Sequence, residues 1–237
     1  MIFTETNLHP PVLEAEFKRL LRVPGDYEFV GQMAENAAWV RAWFAEHGRP
    51  WVCARAMVKC EVSGDIVLLE GATLSSRELA RRFRHARGAA VVAASAGSEA
   101  EAEAAQRWAD DEPDRYYFME AYASAVVEAL IGVARARLCA WADGAGAVLL
   151  PHYSPGYHGW TVADQAQVFQ LVGCGEALPG PLEVMTSGML RPKKSQLAVF
   201  AMAAAADAPG EAADLVPCKY CAHVHCDFRR EPYAVGR

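Results

Sequence analysis

The stretch PHYSPGYHGW, residues 151–160, concentrates two prolines, two glycines and three aromatic side chains in ten positions. It follows the apolar run GAVLL, residues 146–150, and precedes Thr161, which is typical of a helix N-cap. Proline fixes the backbone and glycine lets another molecule approach the main chain closely. Such a segment is either a tightly packed connection or the rim of a ligand pocket.

The longest helical pattern of the chain, residues 115–142, lies before this turn. Apolar residues at three- and four-residue steps predict a buried face, made of Tyr116, Met119, Tyr122, Ala123, Val126, Leu130, Val133 and Leu138. Glu120, Ser124 and Glu128 form a second stripe at the edge of that face. After the turn, we expect a helix at 161–172 and a strand, a loop and a second strand within 182–203.

The N-terminal half alternates helical and extended patterns. Helices are predicted at 11–22, 32–46, 75–87 and 99–110, and strands at 64–71 and 88–94. Glu78, three residues after Ser75, suggests a capping box with Ser75 as the N-cap. The mixture predicts one α+β domain over residues 1–206, with a twisted, mostly antiparallel sheet flanked by helices.

Composition excludes several classes of protein. A hydrophobic content of 53% is ample for a core, and the net charge of −6 argues against nucleic acid as a partner. No apolar run approaches the roughly 20 residues of a membrane span. The start of the chain lacks the basic and apolar regions of a secretory signal, so we expect a cytoplasmic protein without a membrane partner.

A cysteine-rich tail, residues 218–237, follows a linker rich in alanine, proline and glycine at 207–217. Cys218, Cys221 and Cys226 have C-x2-C-x4-C spacing, and His225 is the candidate fourth ligand. This set suits a structural zinc site or an iron–sulfur cluster, and the sequence leaves the two open. The other cysteines, Cys53, Cys60, Cys139 and Cys174, are expected to pack in the core.

The order of these features resembles the reactivation domain of cobalamin-dependent methionine synthase in its free-standing form. YASAVVEAL on the long helix, then HYSPGYHGW, then a capped helix and MTSGMLRPKKSQLAVFAMA carry the resemblance, which is strongest over residues 115–202. It implies a curved sheet with a ligand on its concave side. It also implies binding of S-adenosylmethionine and of cobalamin held by another protein.

The resemblance assigns roles to individual residues. Glu128 corresponds to a glutamate that helps hold S-adenosylmethionine, and the backbone of Ser154 to a second contact with that ligand. Pro155, Gly156 and Tyr157 correspond to a P-G-Y turn whose tyrosine, the candidate catalytic residue, lies beside the ligand and faces the corrinoid. Lys194 and Ser195 belong to the loop that follows.

Two further residues of the turn belong to the candidate ligand site. His152 stands where the family carries an arginine suited to the carboxylate of S-adenosylmethionine, and histidine lacks the permanent charge and the two-pronged fork of arginine. Tyr153, like Tyr157 and Trp160, offers a flat surface to an adenine, a sulfonium or a corrin ring. The alternative for these aromatic side chains is packing at a turn.

The implied function is reactivation of a cobalamin-dependent methyltransferase. The chain has no D-x-H-x-x-G cobalamin loop, so the expected partner is a corrinoid-binding protein or a methyltransferase subunit, with flavodoxin or ferredoxin as electron donor. The alternative is a metal- or iron–sulfur-bearing accessory protein that docks the corrinoid carrier, or delivers electrons, without S-adenosylmethionine. Whether the chain is itself an enzyme component stays open between these readings.

Overall fold

The computed structural model describes residues 2–173 and 177–204 of the 237-residue chain. Six helices lie in this part: α1 Glu14–Leu20, α2 Gly31–His47, α3 Arg77–Phe83, α4 Ser98–Ala109, α5 Pro113–Gly144 and α6 Gln165–Gly173. A 3₁₀ turn, Val162–Asp164, leads into α6. The predicted linker and metal-binding tail, at 207–237, and Cys174 lie outside the described residues, so the domain boundaries stay predictions.

A five-stranded antiparallel sheet forms the centre of the fold, in the order β1-β2-β6-β10-β7. Its strands are β1 Ile2–Thr6, β2 Trp51–Met57, β6 Ala86–Ser95, β7 Ala147–Leu149 and β10 Ser195–Ala204. A bulge between Met202 and Ala203 interrupts the pairing of β10 with β6, and a bulge adds local bend and twist to a sheet. The curled antiparallel sheet flanked by helices confirms the predicted fold class.

Two small sheets complete the described strands. One is the meander β3 Cys60–Ser63, β4 Ile66–Leu69 and β5 Ala72–Ser75, and the other is the hairpin of β8 Glu183–Val184 with β9 Leu190–Arg191. The hairpin and β10 correspond to the strand, loop and strand predicted within residues 182–203. Strands β1, β2, β3 and β5 were not predicted from the sequence.

The two faces of the central sheet bury two separate cores. Successive side chains of a strand point to opposite faces, so Ala198 and Phe200 of β10 pack on the α5 side while Leu197 and Val199 pack on the other. The second core is closed by α3, α6 and the β3–β5 meander. Strand β10 therefore presents one row of side chains to α5, which positions the candidate site.

Helix α5 confirms the long predicted helix. Met119, Ala123, Val126, Leu130 and Leu138 are buried as the periodicity predicts. The other three members of the predicted face, Tyr116, Tyr122 and Val133, are only partly buried.

The predicted start of α3 was wrong by one residue. Ser76, not Ser75, is the N-cap, because its side-chain oxygen accepts a hydrogen bond from the backbone nitrogen of Leu79 at 3.1 Å. Ser75 is the last residue of β5, and Glu78 forms ion pairs with Arg81 and Arg82. The helix ends at Phe83, since residues from Ala86 onward form β6.

Across residues 2–173 and 177–204, the chain has no helix that is both long and apolar enough to span a membrane.

Candidate functional site

The turn at residues 152–160 is attached directly to strand β10. Tyr153 and Val199 exchange two backbone hydrogen bonds of 2.8 Å, which extends the sheet by one bridge beyond β7. Further along, the backbone nitrogen of Gly156 donates to the carbonyl of Trp160 at 3.0 Å, and Gly156 has a φ of 90°. Glycine adopts this φ without the steric cost that a Cβ imposes, so the tight turn requires glycine here.

Tyr153 supports the turn from below. Its side chain is 1% exposed, stacked parallel on Trp160 with a centroid distance of 6.1 Å, and covered by the Arg82 guanidinium at 4.2 Å. Its hydroxyl donates to the carbonyl oxygen of His158. We expected Tyr153 to contact a ligand, but its ring is enclosed and its backbone is used by β10. Trp160 is likewise buried, and its indole nitrogen donates to Asp164 at 2.8 Å.

An ion pair between the buried Arg82 and the partly buried Glu78 lies against the Tyr153 ring. The side chain of Arg82 is 4% exposed and lies 3.0 Å from a carboxylate oxygen of Glu78. Burial lowers the pKa of Arg82, and the Glu78 carboxylate opposes that shift. Burial also works against ionisation of Glu78, but hydrogen bonds and charges from Arg81 and Arg82 outweigh it and lower the pKa of Glu78. Both groups of the pair are therefore charged at neutral pH.

Four polar side chains converge on β10, where the Tyr157 ring packs against the second core and its hydroxyl reaches Gln196. The amide nitrogen of Gln196 donates to the Ser154 hydroxyl and to the Tyr157 hydroxyl, both at 3.1 Å. Nε2 of His152 lies 3.3 Å from the same Tyr157 hydroxyl, and the His152 ring packs 5.6 Å from that of Phe200. The structure thus brings together the predicted residues His152, Ser154 and Tyr157, and adds Gln196, which sequence reasoning missed.

Helix α5 supplies the facing wall. Ser124 is 8% exposed, and its hydroxyl accepts a hydrogen bond of 2.9 Å from Nζ of Lys194. Lys194 also lies 3.1 Å from the Glu120 carboxylate, whose other oxygen is 2.7 Å from Lys193. Burial works against the charge of Lys193, but Glu120 outweighs it and raises the pKa of Lys193. Glu128, partly buried, lies one helical turn beyond Ser124 on the same stripe.

Gln196 alternates with Ala198 and Phe200 along β10, so its side chain leaves the strand on the face that packs against α5. Lys194, which directly precedes β10, contacts Ser124 and Glu120 of α5. The region between this part of α5 and the turn, here called the α5 groove, contains the polar groups of Gln196, Tyr157 and His152 and is the candidate ligand site. Hydroxyl, amide, imidazole, ammonium and carboxylate groups together suit a zwitterionic ligand. The ligand role of Glu128, and those of Pro155, which is buried, and Gly156, which is exposed, stay predictions.

The three described cysteines pack in or against the two cores. Cys53 is buried, and burial raises its pKa to about 11. Cys60 and Cys139 are partly buried against the two cores, and burial raises the pKa of Cys60 to about 11 as well. Within the described residues no group of His, Cys, Asp or Glu has the arrangement of a metal site. The predicted ligands Cys218, Cys221, His225 and Cys226 lie outside those residues.

Comparison of the structure with solved proteins finds the MetH reactivation domain bound to AdoHcy (S-adenosylhomocysteine). The match has a TM-score of 0.62 and covers 88% of this chain and 80% of that chain. The chain has the fold of the MetH reactivation domain. The resemblance that the ordered sequence motifs indicate is thereby confirmed at the level of the fold.

Sequence similarity to the MetH reactivation domain is low. The two chains are 13% identical, so the match establishes a shared fold and carries no residue roles by itself. No protein-family model matches the sequence, and comparison with curated proteins gives no match.

Proposed function

We propose that the chain binds S-adenosylmethionine in the groove between α5 and the turn, and that it supports reductive methylation of cob(II)alamin on a separate corrinoid protein. The observation that carries this proposal is the convergence of His152, Ser154, Tyr157 and Gln196 beside α5. This cluster lies in the fold of a domain that was solved with AdoHcy, the product of S-adenosylmethionine after loss of its methyl group.

The chemistry resides in the two substrates. A donor protein reduces cob(II)alamin by one electron, and the reduced cobalt takes the methyl group from the sulfonium, which leaves AdoHcy. The protein has to bind the sulfonium compound, orient its methyl group towards the corrinoid and exclude water. No acid–base pair is needed, because no proton is transferred in the methylation itself.

The residues of the groove divide this work. The Glu128 carboxylate complements the ligand's ammonium, and the backbone of Ser154 meets its amino-acid portion. The Tyr157 ring flanks the sulfonium, with its hydroxyl oriented by Gln196. His152 and Lys194 are the cations available to the ligand's carboxylate, and Lys194 carries the charge that His152 lacks when neutral.

The partners follow from the same proposal. A corrinoid-binding protein or a methyltransferase subunit presents cobalamin, and flavodoxin or ferredoxin supplies the electron, in the cytoplasm. The tail residues Cys218, Cys221, His225 and Cys226 hold zinc or an iron–sulfur cluster.

Calorimetric titration with S-adenosylmethionine and with AdoHcy tests the ligand site. We expect saturable binding at one site, weakened about tenfold or more in Tyr157→Ala, since a buried aromatic contact contributes about 1.5–3 kcal/mol. Tyr117→Ala is the matched control, because Tyr117 is half-exposed and its hydroxyl donates to the carbonyl of Leu20 in α1, not to a residue of the turn. Absence of binding to folded protein would contradict the proposal.

A second function is favoured by one observation, His152 in the place of the expected arginine. On that alternative the chain is a metal- or iron–sulfur-bearing accessory protein that docks the corrinoid carrier or delivers electrons without S-adenosylmethionine. Metal analysis and the visible spectrum of anaerobically purified protein distinguish zinc from a cluster. A redox-active cluster together with no binding of S-adenosylmethionine would favour this alternative.

A further inference from the structure

A second concave site lies on the opposite side of the same turn. A cavity of about 380 Å³ is bounded by the β3–β4 turn, by one face of α3, and by His158 and Gly159. Its volume falls within the range of about 300–1,000 Å³ that is typical of small-molecule sites. The proposed function does not use this cavity, because neither Tyr157 nor Gln196 lines it.

Three arginines make the lining of the cavity positively charged. Arg77, Arg81 and Arg84 line it, and their spacing of four and three residues places them on one face of α3. Neither Arg77 nor Arg84 forms an ion pair with any residue of the described part of the chain, 2–173 and 177–204. This concentration of positive charge is local, because the whole chain has a net charge of −6.

The carboxylates in the cavity do not cancel this charge. Glu78 lies 2.8 Å from Arg81 and 3.0 Å from the buried Arg82, so it is shared between two guanidinium groups. Asp65 is exposed at the rim. Three arginines and two carboxylates line the cavity, and one of these carboxylates is also paired with the buried Arg82, so the lining keeps an excess of positive charge.

The wall opposite α3 is fixed rather than mobile. The Ser76 hydroxyl donates to the carbonyl of Gly159 at 2.7 Å, and the hydroxyl of Tyr153 donates to the carbonyl of His158. Both bonds connect the wall to buried residues, since Ser76 and Tyr153 have little exposed surface. The cavity is consequently formed before any ligand arrives, which reduces the cost of ordering it on binding.

We propose that this cavity binds a small molecule that carries two or more linked phosphate groups. Guanidinium groups form paired hydrogen bonds with phosphate oxygens, and three of them on one helical face match several charged oxygens at once. The polyphosphate moiety is the shared chemistry, and it occurs in free inorganic polyphosphate and in nucleoside triphosphates.

Titration of the full chain at low salt tests the site, with inorganic tripolyphosphate and ATP as separate probes. We expect saturable binding at one site. The double variant Arg77→Met, Arg84→Met should weaken binding at least tenfold, because it removes two guanidinium groups that form charge-assisted hydrogen bonds with phosphate oxygens. Similar affinities for the two probes would identify the phosphates as the recognised group, and tighter binding of ATP would add a nucleoside contact.

The double variant Arg135→Met, Arg137→Met is the matched control, because both residues are exposed on α5 and the variant removes the same two charges elsewhere. An equal loss of affinity in this control would overturn the proposal, since it would indicate unspecific attraction to the protein's charge. Unchanged affinity in the double variant, or no saturable binding of either probe, would also overturn it. AdoHcy binding in the double variant should equal that of the unaltered protein, so failure of this site and failure of the α5 groove are distinguishable.

Discussion

Alanine substitutions at two glycines of one turn separate a ligand contact from a backbone effect. Gly156 and Gly159 both have positive φ, 90° and 75°, so alanine is strained at either position. A Cβ at Gly156 meets no atom within 4 Å, whereas a Cβ at Gly159 lies 3.3 Å from Cβ of Glu78. The two variants therefore share the strain and differ in what the new methyl group faces.

The expected stability loss is similar for both. A non-glycine residue in the left-handed region costs about 1–2 kcal/mol, and the gain from a less flexible unfolded chain offsets about 0.4–1 kcal/mol of it. The net loss of roughly 1 kcal/mol lowers the melting temperature by about 2–4 °C in a protein of this size. The contact with Glu78 adds a small further cost to Gly159→Ala. Thermal unfolding followed by circular dichroism measures both losses.

Ligand binding should distinguish the pair. Gly156→Ala places a methyl group in the open space at the exposed edge of the turn, so we expect AdoHcy affinity to fall at least tenfold, or about 1.4 kcal/mol. The new methyl group of Gly159→Ala faces Glu78 of α3, so the affinity for AdoHcy should stay within about twofold of that of the unaltered protein. Full affinity in Gly156→Ala would refute the ligand's approach to this turn. An equal loss in both variants would assign the effect to backbone strain alone.

Three further outcomes test other parts of the chain. His152→Arg should strengthen S-adenosylmethionine binding about tenfold by calorimetry, because a fixed fork replaces an imidazole, and unchanged or weaker affinity would remove this position from carboxylate binding. Glu78→Gln should lower the free energy of unfolding by about 2–4 kcal/mol at pH 7, because the buried Arg82 loses its counter-charge. Because the pKa of Glu78 is lowered in the folded protein, its ion pairs stabilise the fold above about pH 4.3, and this stabilisation is lost as the pH falls through the folded-state pKa. The difference in unfolding free energy between Glu78→Gln and the unaltered protein, measured by urea unfolding, should therefore shrink below about pH 4. A difference that stays constant with pH would contradict this. The pKa of Cys60 is raised to about 11, so its thiol should react with iodoacetamide at pH 7.5 far more slowly than the thiol of free glutathione does. Peptide mapping measures the rate at Cys60, and a rate equal to that of glutathione would show that the thiol is not shielded.

Strong local signals explain the parts of the fold that could be predicted. Helix α5 has a long apolar periodicity, and its buried residues Met119, Ala123 and Leu130 follow from spacing alone. The turn at 152–160 was recognised because proline and glycine constrain the backbone locally. The one-residue error at Ser75 has a local cause too, since two adjacent serines precede α3 and only Ser76 caps it.

Strand β2 could not be predicted, because its environment is supplied by distant residues. Arg55 interrupts the apolar pattern of Trp51–Met57. Its guanidinium donates to the carbonyl of Leu171 at 3.0 Å and to the Glu70 carboxylate at 2.6 Å, so the charge is accommodated inside a central strand. The sequence around Arg55 does not indicate that Leu171 and Glu70 are its partners. The strand is instead defined by its pairing with β1 and β6.

In the candidate site, too, local sequence features could be recognised and long-range contacts could not. The segment that holds His152, Ser154 and Tyr157 is conspicuous by its composition, and the roles predicted for these residues come from the resemblance to the reactivation domain. Gln196 was missed, since its partners Ser154 and Tyr157 are 42 and 39 residues away and a glutamine in a strand has no distinctive local signal. The burial of the Tyr153 ring likewise depends on Arg82, which lies in α3, about 70 residues earlier in the chain.

The double attachment of the turn has a consequence for how ligands are selected. Tyr153 ties its start to β10, and the bond from Ser76 to Gly159 ties its end to α3. A rim fixed at both ends does not adapt to the incoming molecule, so the ligand itself has to lose its internal freedom on binding. Among sulfonium and thioether nucleosides, discrimination should therefore follow how well each compound already populates the bound shape, and rigid analogues should outcompete flexible ones that carry the same polar groups.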